Sequence, residues 1–484
     1  MSSTVESAAL HSQTPAPTSV GTDAGLSSVL VHRPGRWIDN WNPENTEQWE
    51  NGGKLIAARN LKWSICAEFL GFVVWQLWSI VVVSLPAAGF TFSTAEVFWL
   101  ISMPSLVGAT LRFPYTFLVP KFGGRNWTII SAGLLLIPSI ALAICVGNPD
   151  TPFGAMLVVA ALAGFGGGNF ASSMSNITYF YPQSQKGYAL GLNAAGGNLG
   201  ASMAQLIVPI VITLGAAGTL GGVGQIQITL AGWFWVPFIV LAMWGAWKYM
   251  DNLSNARADF AGSLAALREP HLWILAVLYI GTFGSFIGFA SVFPKLIADQ
   301  FPEYSTFQVA SASLSLAFIG ALVGSLARPM GGRLADRFGG ASVTVVAFGV
   351  MAAGALIVTL VLPLANFWAF LGSFVLIFVA TGIGNGSTYR MIPSVFSARS
   401  GVANAHHNSG DVNTQRKTAA ALGLISAIGA YGGFIIPQVL GYSKTTTGDY
   451  TSAIYAFALA YVVMMGVTAF VYLRRGSSVA GQKI

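Results

Sequence analysis

Long apolar segments separated by short polar breaks fill the chain from Trp63 to Arg474. Each is close to the length of about 20 residues that a helix needs to cross the hydrocarbon core of a bilayer. Runs such as 134–146 are apolar on every face, whereas a membrane-spanning strand alternates apolar and polar residues. The pattern predicts twelve transmembrane helices, at 63–85, 96–118, 126–147, 153–175, 187–213, 230–250, 272–294, 307–329, 341–363, 366–389, 418–441 and 451–473.

A long central polar break, 251–270, falls between the sixth helix and the seventh. It holds Arg257, Asp259, Arg268 and Glu269, which place it outside the membrane. We therefore expect an N-terminal tail (1–62), an N-terminal six-helix bundle (63–250), a cytoplasmic linker (251–271), a C-terminal six-helix bundle (272–473) and a short cytoplasmic tail (474–484).

The two halves repeat each other at a fixed offset of 216 positions. This offset aligns Arg112 with Arg328 and the Phe-Gly-Gly segment 122–124 with 338–340. It also aligns three residues of the fourth helix with three of the tenth: Gly166, Gly168 and Asn169 with Gly382, Gly384 and Asn385. Parallel six-helix repeats, with a substrate site between them near the membrane midplane, are typical of the major facilitator fold. The sequence therefore predicts an all-α integral membrane protein with this fold, built from two pseudo-symmetric six-helix bundles.

Composition and charge agree with a protein that lies in a lipid bilayer. Hydrophobic residues make up 54% of the chain and charged residues only 8%, too few to cover a water-soluble surface. The net charge of +7 does not indicate nucleic-acid binding, because the Lys and Arg residues concentrate in the tails and in the loops on one side. Only Lys295 and Lys444 fall on the other side. By the positive-inside rule both termini are cytoplasmic, which predicts a multi-pass protein of the plasma (inner) membrane.

The N-terminal tail has two parts. Residues 2–28 are rich in Ser, Thr, Pro and Ala and contain no apolar core long enough for a signal peptide, which predicts disorder. Trp41 and Trp49 stand among acidic residues in the segment 37–61, which we expect to lie against the cytoplasmic face.

Enzyme chemistry gets no support from the sequence. Cys66 and Cys145 lie inside predicted helices, without a CxxC pair or metal-ligand spacing. No nucleophile with its base and no cofactor loop is present, and the glycine-rich segment 164–169 follows no strand. We therefore expect no metal and no cofactor, and a monomer as the working unit.

Arg112 and Arg328 are the residues that point most directly to a cargo. Each precedes its Phe-Gly-Gly loop by about ten residues, at a depth where an arginine can also reach the interface. Ionisable groups at membrane depth usually face a cavity or a partner, and no other helix offers an obvious carboxylate at matching depth. Two such cations facing one cavity predict a mobile anion, and the planar guanidinium fork suits an oxyanion.

Other candidate residues have packing as a strong alternative role. Small residues let membrane helices approach closely, so Gly166, Gly168, Gly382 and Gly384 are expected to serve packing. Buried amides need polar partners, which singles out Asn169, Asn193, Asn198 and Asn385. Tyr279 and Phe283 share one face of the seventh helix, and Phe170 follows the glycines of the fourth; these rings are candidate walls for a flat anion.

One loop carries a signature of the major facilitator superfamily. The segment 332–340 resembles the Gly-x-Leu-Ala-Asp-Arg-x-Gly pattern, and its charges are expected to latch neighbouring helix ends. The position in the first half that matches Asp336 is Pro120, so only one such latch is expected.

Five stretches closely resemble the nitrate/nitrite porter family, NarK-type: 108–115 (GATLRFPY), 166–177 (GGGNFASSMSNI), 186–193 (KGYALGLN), 282–289 (TFGSFIGF) and 382–388 (GIGNGST). The resemblance runs from about Trp41 to the last helix. It departs from the family mainly in the long N-terminus, in Asn385 and in the His406-His407 loop.

The resemblance implies roles for particular residues. Arg112 and Arg328 match the family's substrate-binding arginines. The residues that match those around the anion are Phe170, Asn193, Tyr279 and Phe283. Gly191 and Gly423 match positions where close helix approach lets the cavity shut. The implied substrates are nitrate and nitrite.

Three functions remain open from the sequence. The first is nitrate/nitrite exchange by rocking of the two bundles, in which the empty carrier resists closing because the arginines repel by about 2 kcal/mol at an assumed 8 Å. The second is proton-coupled nitrate uptake, for which Glu68 in the first helix is the candidate titrating group. The third, an anion-binding membrane sensor, lacks an appended signalling domain in this sequence.

Overall fold

The structure is a computed structural model that describes residues 30–219, 226–256, 266–309, 312–399, 412–474 and 484. The predicted disordered stretch 2–28 and the His406-His407 loop lie outside the described residues.

Twelve long helices account for most of the described residues. They are α1 (Lys54–Ser84), α2 (Thr94–Phe122), α3 (Gly124–Val146), α4 (Phe153–Phe180), α5 (Gln183–Thr219), α6 (Leu230–Tyr249), α7 (Pro270–Gln300), α8 (Phe318–Phe338), α9 (Gly340–Val361), α10 (Phe367–Arg399), α11 (Val412–Ala430 continuing as Gly432–Thr447) and α12 (Thr451–Leu473). Apolar side chains fill the interior between them, including many of the phenylalanines of α7 and α10.

By length and apolar composition, eleven spans in the described part of the chain can cross a membrane. The remaining long helix, α8, carries Arg328, Arg333, Asp336 and Arg337 and therefore lacks a sufficiently apolar window. It nevertheless packs closely on α10 and α5, as the eighth helix of twelve. The predicted all-α membrane architecture is confirmed.

The predicted start of the eighth helix was wrong. The prediction placed it at 307–329, but Phe307–Val309 and Ala312–Leu314 pair as the antiparallel strands β4 and β5, before α8 begins at Phe318. The predicted end at 329 also falls short of Phe338, because the hydropathy pattern follows the apolar residues whereas the helix continues past them, with Arg333 and Arg337 exposed at its end. For the same reason α10 extends to Arg399 rather than ending at 389.

Part of the N-terminal tail folds onto the helices. Val31–Arg33 and Trp37–Asp39 form the antiparallel strands β1 and β2, and β2 pairs in parallel with β3 (Asn252–Leu253), directly after α6. Trp41 and Trp49 are buried against the end of α4, where the Trp41 indole nitrogen donates to the Tyr179 carbonyl at 3.0 Å.

Asp251 fastens this N-terminal segment to the first bundle. Its carboxylate accepts from Arg36 at 2.8 Å, from Arg59 at 2.7 Å and from Asn60 at 3.0 Å. Only 2% of Asp251 is exposed, so three partners compensate one buried charge. The segment therefore lies on the face where α1 begins and α12 ends, which we call the tail face.

The two bundles touch on the opposite side, which we call the far face. Near that side Gln438 of α11 donates to Ser102 of α2 at 2.6 Å, and Phe98 packs on Tyr450 with 6.2 Å between ring centroids. Deeper in, Gln205 of α5 donates to the Ala290 carbonyl of α7 at 2.6 Å. These contacts close the interface between the bundles toward the far face.

The tail-face ends of the helices between the bundles are apart. An added Cβ at Gly187 or Gly191 of α5, at Gly332 of α8 or at Gly423 of α11 would meet no heavy atom within 4 Å among the described residues. Tyr188, between the two glycines of α5, is 76% exposed. The structure is therefore closed at the far face and open at the tail face.

Candidate functional site

Arg112 lies fully buried on α2 and reaches both bundles. Its Nε donates to the Gly167 carbonyl of α4 at 3.2 Å. Its Nη1 donates to the Ser426 carbonyl of α11 at 3.0 Å and to the Ser426 hydroxyl at 2.9 Å. Its Nη2 has no hydrogen-bond partner within the described part of the protein. One edge of the guanidinium is thus held by protein, while one nitrogen is left to donate to a ligand.

The glycine-rich segment of α4 makes this geometry possible. An added Cβ at Gly108 of α2 would lie 3.1 Å from the Gly167 Cα and 2.7 Å from the Trp75 indole nitrogen. Any side chain at these glycines would push α2 and α4 apart. The close approach brings the Gly167 carbonyl within reach of Arg112.

Arg328 occupies the matching position on α8 and has fewer partners. Its Nη2 lies 3.5 Å from the Tyr279 hydroxyl, at the outer limit of a hydrogen bond. Its Nη1 has no partner among the residues that the structure describes, although only 6% of the residue is exposed. A buried donor without a partner is costly, and a bound acceptor removes that cost.

Phe170 and Phe283 stand between the two arginines. Phe170 comes from α4 and Phe283 from α7, and their rings stack across the bundle interface with centroids 6.2 Å apart. The Arg112 Cζ lies 4.5 Å from the Phe170 centroid and the Arg328 Cζ lies 5.8 Å from it. The two Cζ atoms are therefore no farther apart than the sum of these two distances. Tyr279 stacks on Phe283 at 5.3 Å and extends the aromatic wall.

Asn193 lies beside this group, but its side-chain amide is already hydrogen-bonded to other residues. Its Nδ2 donates to the Glu68 carboxylate and to the Ser173 hydroxyl, each at 2.5 Å. The Ser173 hydroxyl also donates to Glu68. The Asn193 Oδ1 has no partner in the described residues, but a carbonyl oxygen cannot donate to an anion. In this structure Asn193 therefore holds a carboxylate.

The expectation that no carboxylate lies at the depth of the arginines was wrong. Glu68 is fully buried on α1, and both Arg112 and Arg328 act on it electrostatically. The sequence placed Glu68 in the first helix but not its depth relative to α2 and α8, because that depth depends on how the helices pack. The arginine pair is therefore partly compensated when Glu68 is ionised.

The glycines and amides singled out from the repeat lie at helix contacts. An added Cβ at Gly166 would collide with the Gly71 carbonyl, and one at Gly382 with the Gly324 carbonyl. At Gly168 it would lie 2.9 Å from the Tyr115 ring, and at Gly384 2.8 Å from Thr282. Among the asparagines singled out from the sequence, Asn169, Asn198 and Asn385 have side-chain amides without a hydrogen-bond partner in the described residues.

Asp336 forms an ion pair within the second bundle. Its Oδ1 accepts from the Arg390 Nε of α10 at 2.6 Å, and both side chains are more than half exposed. An exposed pair of this kind contributes about 0–1 kcal/mol. Gly191 and Gly423 lie at the open tail face and make no close helix contact in this conformation.

Sequence reasoning missed Ser426, Trp75 and Tyr389. The Tyr389 ring centroid lies 5.7 Å from the Arg328 Cζ and 6.0 Å from the Tyr279 ring. The repeat gives no signal for Tyr389, since the offset of 216 positions places it on the unlike residue Ser173. Ser426 carries no local signal, because a serine in a membrane helix usually bonds its own backbone.

The arrangement can bind a small anion and shield it from lipid. Two buried guanidinium groups each leave a nitrogen free to donate, and flat rings border them. In the described residues no cluster of three or more His, Cys, Asp or Glu side chains that could hold a metal is present.

Comparisons with known proteins agree with this architecture. Residues 67–437 match the Major Facilitator Superfamily. Among solved structures, the xylose transporter XylE from E. coli, in a partially occluded inward open conformation, has a TM-score of 0.59 at 12% identity and covers 84% of this chain and 96% of its own. A bacterial homologue of the human lysosomal transporter Spinster, inward-facing, has a TM-score of 0.60 at 16% identity, with coverage of 86% and 96%. These two structures share the fold.

Curated relatives narrow the family. The nitrate/nitrite transporter NarU of Escherichia coli (strain K12) is 44% identical over 452 residues, covering 90% of this chain and 96% of NarU. The probable nitrate/nitrite antiporter NarK2 of Thermus thermophilus is 36% identical over 463 residues, covering 93% and 99%. The resemblance drawn from the five motifs is confirmed, and the chain belongs to the nitrate/nitrite porter (NarK-type) family of the Major Facilitator Superfamily.

Proposed function

We propose that this protein carries nitrate and nitrite across the membrane by alternating access, with the anion bound between Arg112 and Arg328. One observation carries the proposal: a buried guanidinium from each bundle leaves a nitrogen without a partner in the described structure, and both lie beside the same phenylalanine ring. Nitrate and nitrite are flat, monovalent and rich in acceptors, which suits two donors and an aromatic wall. The protein is a carrier and not an enzyme.

The site lies where movement of the bundles can expose it to either side. The interface is closed toward the far face by Gln438–Ser102 and Gln205–Ala290 and open toward the tail face. Rocking the bundles about the site would open the far-face contacts and bring α5 and α8 together at the tail face. An anion held by both arginines favours that closure, because it removes their mutual repulsion.

The remaining features of the proposal follow the charge pattern. The tail face is cytoplasmic, both termini lie there, and the protein resides in the plasma (inner) membrane as a monomer. Gly191 and Gly423 would then come into helix contact only in the conformation that closes the cytoplasmic side.

Exchange of nitrate for nitrite is the transport mode that we propose first. Counterflow tests carriage and substrate together: proteoliposomes preloaded with nitrite or nitrate are diluted into labelled nitrate without a pH gradient. We expect uptake that overshoots equilibrium in vesicles preloaded with either anion. Binding of nitrate without counterflow would instead identify a sensor, and absence of both would refute the proposed cargo.

Proton-coupled uptake is the second candidate, and Glu68 favours it. Exchange alone requires that the empty carrier stay open because its arginines repel each other. Glu68 acts electrostatically on both arginines and weakens that requirement.

A further inference from the structure

Glu68 is a buried carboxyl whose hydrogen bonds are compatible with both its ionised and its protonated form. Its Oε2 accepts from Ser173 and from Asn193, whereas its Oε1 has no hydrogen-bond partner among the described residues. The Oε1 packs against the backbone of Gly197 on α5, where no side chain intervenes. One oxygen is thus held, and the other can carry a proton without breaking any hydrogen bond that the structure shows.

Charged and titratable groups face Glu68 from three other helices. Arg112 on α2 and Arg328 on α8 attract its ionised form, and Tyr389 on α10 also interacts with it electrostatically. The groups that touch it from α4 and α5 are the neutral Ser173, Asn193 and Gly197. The two arginines are therefore the countercharges available to Glu68 in the described structure.

We propose that Glu68 is a proton site that fills when the anion binds, so that one proton moves with each nitrate or nitrite ion. This inference rests on the anion site proposed above. The Glu68 carboxylate and the anion compete for the same arginine pair and repel each other across a short distance in a poorly screening interior. Protonation of Glu68 removes that competition, and by linkage anion binding promotes protonation to the same extent.

The formal charges give this coupling its consequence for transport. With the anion bound and Glu68 protonated, two arginines and one anion leave a formal charge of +1. With the anion gone and Glu68 ionised, two arginines and one carboxylate leave the same +1. Both forms can therefore close over the site at similar electrostatic cost, whereas a form with two arginines alone pays their full repulsion.

Two transport modes follow from one site. The loaded and protonated carrier moves in both directions and exchanges anions. The empty carrier with Glu68 ionised can also change conformation, so a proton gradient drives net uptake.

Hydrogen bonds lead from Glu68 toward the tail face. Ser173, which donates to Glu68, also bonds the Ser64 hydroxyl at 2.9 Å, and Ser64 lies one helical turn from Glu68 on α1.

Calorimetry of nitrate binding to the purified full-length protein tests the proton site directly. Titrations at one pH, in buffers of different ionisation enthalpy, report the number of protons taken up for each nitrate bound. For the wild type we expect uptake approaching one proton per nitrate on the alkaline side of the Glu68 transition. Over that range nitrate affinity should weaken up to tenfold for each unit that the pH rises.

Glu68→Gln keeps the hydrogen-bond acceptor but cannot titrate. We expect it to bind nitrate with no proton uptake and with an affinity independent of pH. In proteoliposomes it should retain counterflow and lose uptake driven by a pH gradient into anion-free vesicles. Asp150→Asn, at an exposed loop between α3 and α4, is the matched control and should behave as the wild type in both assays.

The wild-type titration alone can overturn the inference, whatever the variant's folding. Nitrate binding without proton uptake across pH 5 to 9 refutes the proton site and leaves obligatory exchange in place. Equal proton uptake by Glu68→Gln moves the proton to another group and also refutes it. No nitrate binding at any pH refutes the anion site itself, which separates failure of the proposed function from failure of the coupling.

Discussion

Arg112 and Ser426 join the two bundles at the centre of the molecule. The guanidinium Nη1 on α2 donates to both the backbone carbonyl and the hydroxyl of Ser426 on α11, at 3.0 and 2.9 Å. An arginine proposed to bind the cargo is therefore also part of the bundle interface. The Arg112 side chain would therefore take part in both cargo binding and the conformational change, as alternating access requires.

Removing the Ser426 hydroxyl should shift the balance between conformations. Ser426→Ala deletes one of the two acceptors for Arg112 in this tail-face-open state, and a hydrogen bond to a charged group contributes about 1.5–3 kcal/mol. In a background without Cys66 and Cys145, we expect slower labelling of Tyr188→Cys at the open tail face. Ser426→Thr keeps the hydroxyl, so Tyr188→Cys should be labelled at the same rate as in the parent protein. An unchanged labelling rate in the alanine variant would show that the Ser426 hydroxyl does not affect the balance between the conformations.

Replacing either arginine with lysine should cost affinity and leave the fold intact. Arg112→Lys and Arg328→Lys keep the charge but lose the planar fork, and loss of a charge-assisted hydrogen bond of about 1.5–3 kcal/mol corresponds to roughly ten- to a hundredfold weaker nitrate binding. Nitrate titration by calorimetry measures the effect, with size-exclusion profiles as the check on folding. Affinity within twofold of the wild type in both variants would contradict binding by the guanidinium forks.

The repeat glycines give a stability test with a control in the same helix. Gly382→Ala places a methyl group against the Gly324 carbonyl, and overpacking of this kind costs about 1–3 kcal/mol. Gly372→Ala, also on α10, meets no described heavy atom within 4 Å. Thermal unfolding in detergent should show a lower midpoint for the first variant only; equal midpoints would show that α8 and α10 can move apart without cost.

Asp251 should hold the N-terminal segment to the bundle. Asp251→Asn leaves Arg36 and Arg59 without their shared carboxylate, whereas Asp39→Asn removes a surface pair with Arg33 whose attraction water screens. Hydrogen exchange over residues 31–39 should therefore speed up markedly in the first variant and little in the second. The same rate in both would assign the attachment to Trp41 and Trp49 instead.

How much was predictable differs between the fold and the site. Helix number followed from apolar length, and the pairing of Arg112 with Arg328 followed from the 216-residue offset, since both are properties of position along the chain. The end of α8 at Phe338 did not follow, because its last turns are polar while its helical hydrogen bonds continue. The partners of Asn193 did not follow either, because Glu68 and Ser173 come from other helices.

The sequence by itself determined that this is a twelve-helix membrane protein with an internal repeat and a symmetric pair of arginines within its helices. Apolar segment length, charge asymmetry and repetition decide those features, and each can be read along one dimension. Only the tertiary structure decided that Glu68 interacts electrostatically with both arginines, that Ser426 bonds Arg112 across the bundle interface, and that the tail face is open. Those relationships depend on the depth and rotation of helices that are far apart in the chain, which only their packing sets.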